Sequence, residues 1–247
     1  MKTKGFTLVE VLFAITIGLM LLGAIFVAVQ SGQRSSMVIE SKVAAQQDVR
    51  AALELMAIEL GMASFNPTLN PNIWTTGCNS GSAVNANRGI QAVPGSSMAN
   101  VVTIGMDITD SAAGPNGDGA IDDPSEVITY AYDAPNQRVT RSTSCGGSQP
   151  FLGDTAASGN PRVVRVRNDV NGNGAYDEGT DIPVFRFFDG SGAMIPFASL
   201  PANVPSIRRI EITLAVETED IDPNTGQRRR MIYSTSVTPR NHVISPP

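Results

Sequence analysis

From Phe6 to Val29 the chain runs for about two dozen residues with one charge, the carboxylate of Glu10, which is long enough to cross a ~30 Å hydrocarbon core as a helix. An ionised group buried in hydrocarbon costs at least a few kcal/mol, so Glu10 needs a partner, and the expected one is a group of another subunit. Lys2 and Lys4 place the short leader in the cytoplasm and the polypeptide beyond Val29 across the membrane. Ser31-Gly32-Gln33 is a poor match for the small-x-small site of an ordinary secretory signal. The cleavable-looking point lies before the apolar run instead.

The residues Lys4-Gly5-Phe6-Thr7-Leu8-Val9-Glu10-Val11-Leu12-Phe13-Ala14-Ile15 resemble the N-terminal motif of type IV prepilins and the related pseudopilins. The resemblance covers about the first thirty residues. It implies that a prepilin peptidase cuts after Gly5 and methylates the new amine of Phe6, and it puts Glu10 at the family's acidic position. In a growing filament that amine can meet the carboxylate of an adjacent helix, offset its burial and set axial register. The alternative is a plain signal anchor in which Glu10 reaches the interface or sits protonated.

Once a helical anchor is subtracted, the 247 residues leave one globular domain with a real core. A formal net charge of -5 argues against a generic polyanion binder, and no nucleic-acid partner is expected. Cys78 and Cys145 are the only cysteines and have no metal-ligand spacing; in an oxidising compartment they are expected to join as one disulfide, the alternative being two buried thiols.

Beyond the membrane the helical period continues. Ala45, Val49, Ala52, Leu53, Met56 and Leu60 share one face, while Glu40, Lys42, Asp48, Arg50, Glu54 and Glu59 take mostly others. Asn66-Pro67 and Asn70-Pro71 stop it, so the spacing predicts a helix from Phe6 to about Met62, roughly 85 Å long, with Gly18, Gly23 and Gly32 as points where it can bend. Residues 77–99 read as an exposed loop region. Strand patterns follow at Val101–Ile108, Glu126–Tyr132, Arg138–Ser142, Arg162–Arg167 and Val184–Phe188, and a hairpin pairs Arg209–Val216 with Arg230–Val237 across Pro223-Asn224-Thr225-Gly226.

This is an α+β chain: a long N-terminal helix, transmembrane then amphipathic, packed on an antiparallel sheet domain as in pilins. The segments are a leader over 1–5, an assembly helix over 6–29, its amphipathic continuation over 30–65 and an extracytoplasmic β-rich domain over 66–247. Ile128-Thr-Tyr-Ala-Tyr-Asp133 leading to Val139-Thr-Arg141, Phe185-Arg-Phe-Phe-Asp-Gly190 and Thr238-Pro-Arg-Asn241 resemble PilW-type minor pilins, and next the J-type minor pseudopilins of type II secretion.

Two loops repeat without a gap: Asn116-Gly-Asp-Gly-Ala-Ile-Asp-Asp-Pro-Ser-Glu126 aligns on Asn171-Gly-Asn-Gly-Ala-Tyr-Asp-Glu-Gly-Thr-Asp181. In the second, Asp169, Asn171 and Asn173 have the oxygen spacing of a calcium loop, followed by Gly174, the Ala175 carbonyl and Asp177 at the ninth place. Thr180 holds the twelfth place and the closing acid comes one residue late at Asp181, with Glu178 available as a substitute. The first copy offers Asn116, Asp118, Asp122 and Glu126, but Gly114 stands where its leading acid belongs, so it must recruit Asp110 or another segment. Either loop can hold Ca2+, or both are turns that start strands.

Catalytic sets are missing. His242, the only histidine, lies near the chain end and is expected at the surface; no phosphate-binding fingerprint is present. The basic run Arg228-Arg229-Arg230 faces Glu217, Glu219, Asp220 and Asp222 across its hairpin and reads as a balanced face. The resemblance implies a non-enzymatic minor pilin that primes assembly at a filament tip, stored in the inner membrane with its outer domain across it. Its expected partners are other major and minor pilins, the prepilin peptidase and the inner-membrane assembly platform. The alternatives are a type II minor pseudopilin, a calcium-dependent tip adhesin and a signal-anchored hydrolase.

Overall fold

The computed structural model describes residues 5–70, 73–75, 89–91, 96–109, 117–123, 125–143, 146–153 and 162–243. Helix α1 spans Leu8–Met62 without a break, passing through Gly18, Gly23 and Gly32. It starts two residues later than the pattern predicts, because Thr7 is an extended N-cap. Its end is set by Ala63 and by Ser64, whose left-handed φ of 66° swings the chain away so that its N–H reaches the Gly105 carbonyl at 2.9 Å.

Two antiparallel sheets follow. The first is a meander of β1 (Ile90–Gln91), β2 (Val101–Gly105), β3 (Val127–Asp133), β4 (Arg138–Thr143) and β5 (Gln149–Leu152). The second is built on the long β8 (Arg209–Asp222), which pairs along one edge with β9 (Gln227–Val237). Along its other edge lie β7 (Phe185–Phe188) and β6 (Val164–Val166), end to end. A four-residue helix α2 (Leu200–Asn203) precedes β8. Period-two alternation directs the strands: Ile128, Tyr130 and Tyr132 of β3 and Ile210, Ile212, Leu214 and Val216 of β8 all point into the core.

One core joins the helix to both sheets. The helix contributes Ala45, Val49, Ala52, Leu53, Met56 and Leu60, the face its spacing predicts, while the apolar residues from Leu8 to Val29 are exposed. Glu59 departs from that pattern: it is buried rather than polar-faced. Arg141 of β4 holds its carboxylate through two hydrogen bonds of 2.7 and 3.1 Å, and the Tyr130 hydroxyl of β3 donates a third at 2.5 Å. Those partners sit more than seventy residues away, where local periodicity carries no trace of them.

Among the described residues, β1 and β5 are the strands the pattern misses, and α2 is the helix it misses. Residues 76–88 and 92–95 lie outside the described residues, but Ile90 and Gln91 between them are buried strand rather than exposed loop, and Met98 and Ala99 are buried too. Two residues cannot display a period, and Ile90 is drawn in by pairing with Ile104. Strand β5 contains Pro150 and sits at the sheet edge, where a missing N–H is tolerated.

Candidate functional site

The chain approaches α1 through Gly5 and Phe6, both outside the helix, with the Phe6 ring 86% exposed. Thr7 and Glu10 then form a reciprocal capping box. The Glu10 N–H donates to Thr7 Oγ1 at 3.4 Å, while Glu10 Oε2 accepts from the Thr7 N–H and hydroxyl, each at 3.0 Å. Within the single chain, therefore, the carboxylate sits in the first helical turn and has local donors. It is not an unpartnered charge at mid-helix. Three features line up in sequence: an accessible Gly5-Phe6 junction, a capped acid, and a helix apolar and long enough to cross a membrane.

The two repeated loops, one joining β2 to β3 and the other β6 to β7, adopt one hydrogen-bonding plan. In the second, Asp169 Oδ2 accepts from the Gly174 N–H at 2.8 Å and Asp181 accepts from the N–H groups of Val170 and Asp177 at 2.8 and 2.9 Å. In the first, Asp107 Oδ2 accepts from the Gly119 N–H at 2.9 Å, and Glu126 accepts from Ile108 and Asp122 at 3.0 and 3.1 Å. Ala120 N–H to Asp118 Oδ1 at 2.9 Å matches Ala175 N–H to Asn173 Oδ1 at 2.8 Å. Gly119 and Gly174 both take positive φ, 90° and 84°, which only glycine adopts without strain. The residue that sequence reading missed is thus Asp107. It takes the place of Asp169 from just beyond β2, outside the aligned repeat.

The loops differ in how they meet their charge. In the second, the side-chain amides of Asn171 and Asn173 both donate to Asp177 Oδ2, at 2.7 and 2.6 Å, and both Asp169 oxygens accept backbone N–H groups. Asp181 closes this loop, and Glu178 is exposed. In the first, Asp118 replaces Asn173. Asp122, Asp123 and Glu126 bring carboxylate oxygens within 4.8 Å of one another, and partial desolvation of the exposed Asp122 carboxyl, followed by the charges of Asp118, Asp123 and Glu126, holds it above its ordinary range. Asp107 is raised likewise, first by burial and then by the charges of Glu126 and Asp118, against the lowering effect of the Gly119 and Asp118 N–H groups.

Residues 1–26 match the family described as the prokaryotic N-terminal methylation motif. The chain carries a prepilin methylation motif. No curated protein matches the chain. Among solved structures, a type IV-like pilin from Thermus thermophilus aligns over 79% of this chain and 97% of its own, at 10% identity and a TM-score of 0.39.

Gly5, Phe6 and Glu10 lie within the matched residues. His242 corrects the sequence expectation: it is 0% exposed, not at the surface. Its Nε2–H donates to the Val204 carbonyl at 2.7 Å, which leaves Nδ1 to accept from the Ser64 hydroxyl at 2.7 Å. Ser64 Oγ in turn accepts the Gly89 N–H at 2.9 Å. A serine and a histidine do meet, but both are buried and a backbone carbonyl stands where an orienting acid would be; the contact ties the chain's C-terminal end to the end of α1. Cys78, Cys145 and Asn116 lie outside the described residues. Arg228 reaches Glu219 at 3.9 Å across the β8–β9 hairpin, in keeping with a balanced face.

Proposed function

We propose that the chain is a minor pilin, a non-enzymatic subunit held in the inner membrane by residues 6–29 and then drawn into a type IV pilus. The observation that carries this reading is the division of one unbroken helix. Its apolar part from Leu8 to Val29 is exposed in the single chain, whereas Ala45 to Leu60 is sealed into the domain. A helix exposed over that length needs lipid first and other helices afterwards. The methylation motif supplies the switch: cleavage after Gly5 removes Lys2 and Lys4 and frees an amine on Phe6. On assembly, Glu10 exchanges its Thr7 donors for the amine of a neighbouring pilin, and the outer domain selects that neighbour.

The minor role, with priming at the filament tip alongside other pilins and the assembly platform, rests on the PilW-like residue patterns that fold here as β3, β4 and β7. Mass spectrometry of the membrane-extracted chain tests the reading. We expect a mature N terminus at methylated Phe6 and an uncleaved precursor for Gly5→Leu. A mature chain that still begins at Met1 or Lys2 would sink it.

A further inference from the structure

We propose that β9 is a docking edge: it takes an extended, acid-ended segment of a different subunit as one more strand of the second sheet, and side chains of that segment fill the groove between β9 and α1. That the segment belongs to another pilin rests on the proposed function; the edge itself does not.

The free edge follows from the register of the hairpin. Thr213 of β8 sends its N–H to the Val184 carbonyl, while Ala215 accepts from the Arg167 N–H and donates to Asn168, so both spend their backbone groups on the side away from β9. Their β9 neighbours, Ser234 and Ile232, therefore turn their own N–H and C=O groups outward, and by alternation so do Arg230 and Ser236. Among the described residues nothing bonds those groups. Natural sheets rarely leave such an edge bare. The other outer strands of this chain are blunted: β1 has 2 residues, β5 carries Pro150, and β6 and β7 have 3 and 4 residues. Strand β9 runs for 11 residues, and from Met231 to Val237 it contains no charge, proline or glycine. A stretch of that kind is a template for strand pairing.

A groove of about 540 Å3 runs beside it, with Arg50, Glu54, Ala57 and Ile58 of α1 on one wall and Tyr233 and Thr235 on the other. Ile58 is 55% exposed. An added strand puts every second side chain over Ala57 and Ile58, so the occupant alternates apolar residues. Arginines set its charge. Arg50, Arg229 and Arg230 make no ion pair with any described carboxylate, although the chain carries a formal net charge of -5. An occupant with acids at the end that passes Arg229 and Arg230 complements them. A second copy does not fit. The two-fold axis that pairs two β9 edges antiparallel stands normal to the sheet and so reverses α1, which lies on that sheet, and two chains anchored in one membrane by residues 6–29 cannot point opposite ways.

The test uses the detergent-solubilised full-length chain and, as probe, a labelled peptide of alternating threonine and valine led by two glutamates. Fluorescence anisotropy should show binding at or below about 1 mM, the weak end of specific association. Bound peptide should slow amide hydrogen exchange at least about tenfold at Arg230, Ile232, Ser234 and Ser236, and not at Tyr233 and Thr235, whose N–H groups face β8. Ser234→Pro removes an N–H that bonds nothing in the chain, so it should melt near the wild type and lose the peptide. The surface double variant Arg229→Glu with Arg230→Glu makes the same test without touching the backbone: it should weaken this peptide at least about tenfold and favour one led by two lysines. Absence of binding, binding that leaves the four outward amides unprotected, or a charge reversal without effect overturns the proposal. Self-association of the chain that Ser234→Pro abolishes overturns it too, by putting a second copy on the edge. None of these results bears on cleavage after Gly5, which the mass of the mature N terminus decides separately.

Discussion

Glu59 is the residue that locks the helix to the first sheet. Its carboxylate lies in the core side of α1 with Arg141 and Tyr130 as partners, and the Arg141 guanidinium leaves about a quarter of its side chain in contact with solvent. Removing one member of a mostly buried pair strands the other, which is costlier than never having had the pair. Arg141→Ala should therefore destabilise the chain by about 2–3 kcal/mol, below the fully buried range because water still reaches the site. The double variant Glu59→Leu with Arg141→Met should recover part of that loss, and only part, because the Tyr130 hydroxyl then has no acceptor. Urea unfolding of the solubilised protein reads both. Glu59 also marks a limit of sequence reading at this scale. A charged residue on an amphipathic helix looks solvent-facing unless its partner is known, and Arg141 comes from a strand remote in the chain. His242 hides for the same reason, since a near-terminal histidine is buried only because Ser64 and Val204 are brought to meet it.

At the scale of elements, the long periodic ones were legible and the short ones were not. The face of α1 from Ala45 to Leu60 and the β8–β9 hairpin each repeat their pattern over three or more periods, so noise at one position does not matter. Strands β1 and β5 are too short for that, and the first loop lacked its leading acid because Asp107 follows β2 and is outside the repeat. The edge where β6 meets β8 carries a testable charge cluster. Glu219 of β8 takes hydrogen bonds of 2.7 and 2.6 Å from Arg165 of β6, with Arg162 at 3.4 Å and Arg228 at 3.9 Å. The Arg165 hydrogen bonds hold the Glu219 carboxyl below its ordinary value of 4.5. A depressed acid contributes stability that is present above its unfolded value and is lost as pH falls through its folded one. The chain should lose stability on acidification below about pH 4.5, and Arg165→Gln should flatten that slope while leaving the Asp107 and Asp122 region, where the shifts have the opposite sign, unchanged. Melting temperatures from pH 6 down to about pH 3 measure the difference.

For the whole molecule, the question is where the membrane device ends and the domain begins, and the core answers it. The first α1 residue to enter the core is Ala45, and the first to line the groove against the β8–β9 turn are Met37, Val38 and Ser41. A chain starting at Ser36 therefore gives up no core side chain and sheds the exposed apolar surface from Leu8 to Val29 that would otherwise drive aggregation in water. It should be soluble without detergent and unfold in one cooperative step. A chain starting at Ala63 is a different case. It loses Val49, Leu53, Met56 and Leu60, each of which contributes about 1.5–3 kcal/mol when fully buried, and it strands Arg141 by removing Glu59. The sum, roughly 10 kcal/mol, is as large as the whole stability of an ordinary domain. The shorter chain should fail to fold even though both sheets are intact in sequence. Gel filtration and circular-dichroism melts of the two truncations check this directly: a cooperative melt from the Ala63 chain would mean that the sheets stand without the helix, and that α1 is an attachment to the domain and not part of its core.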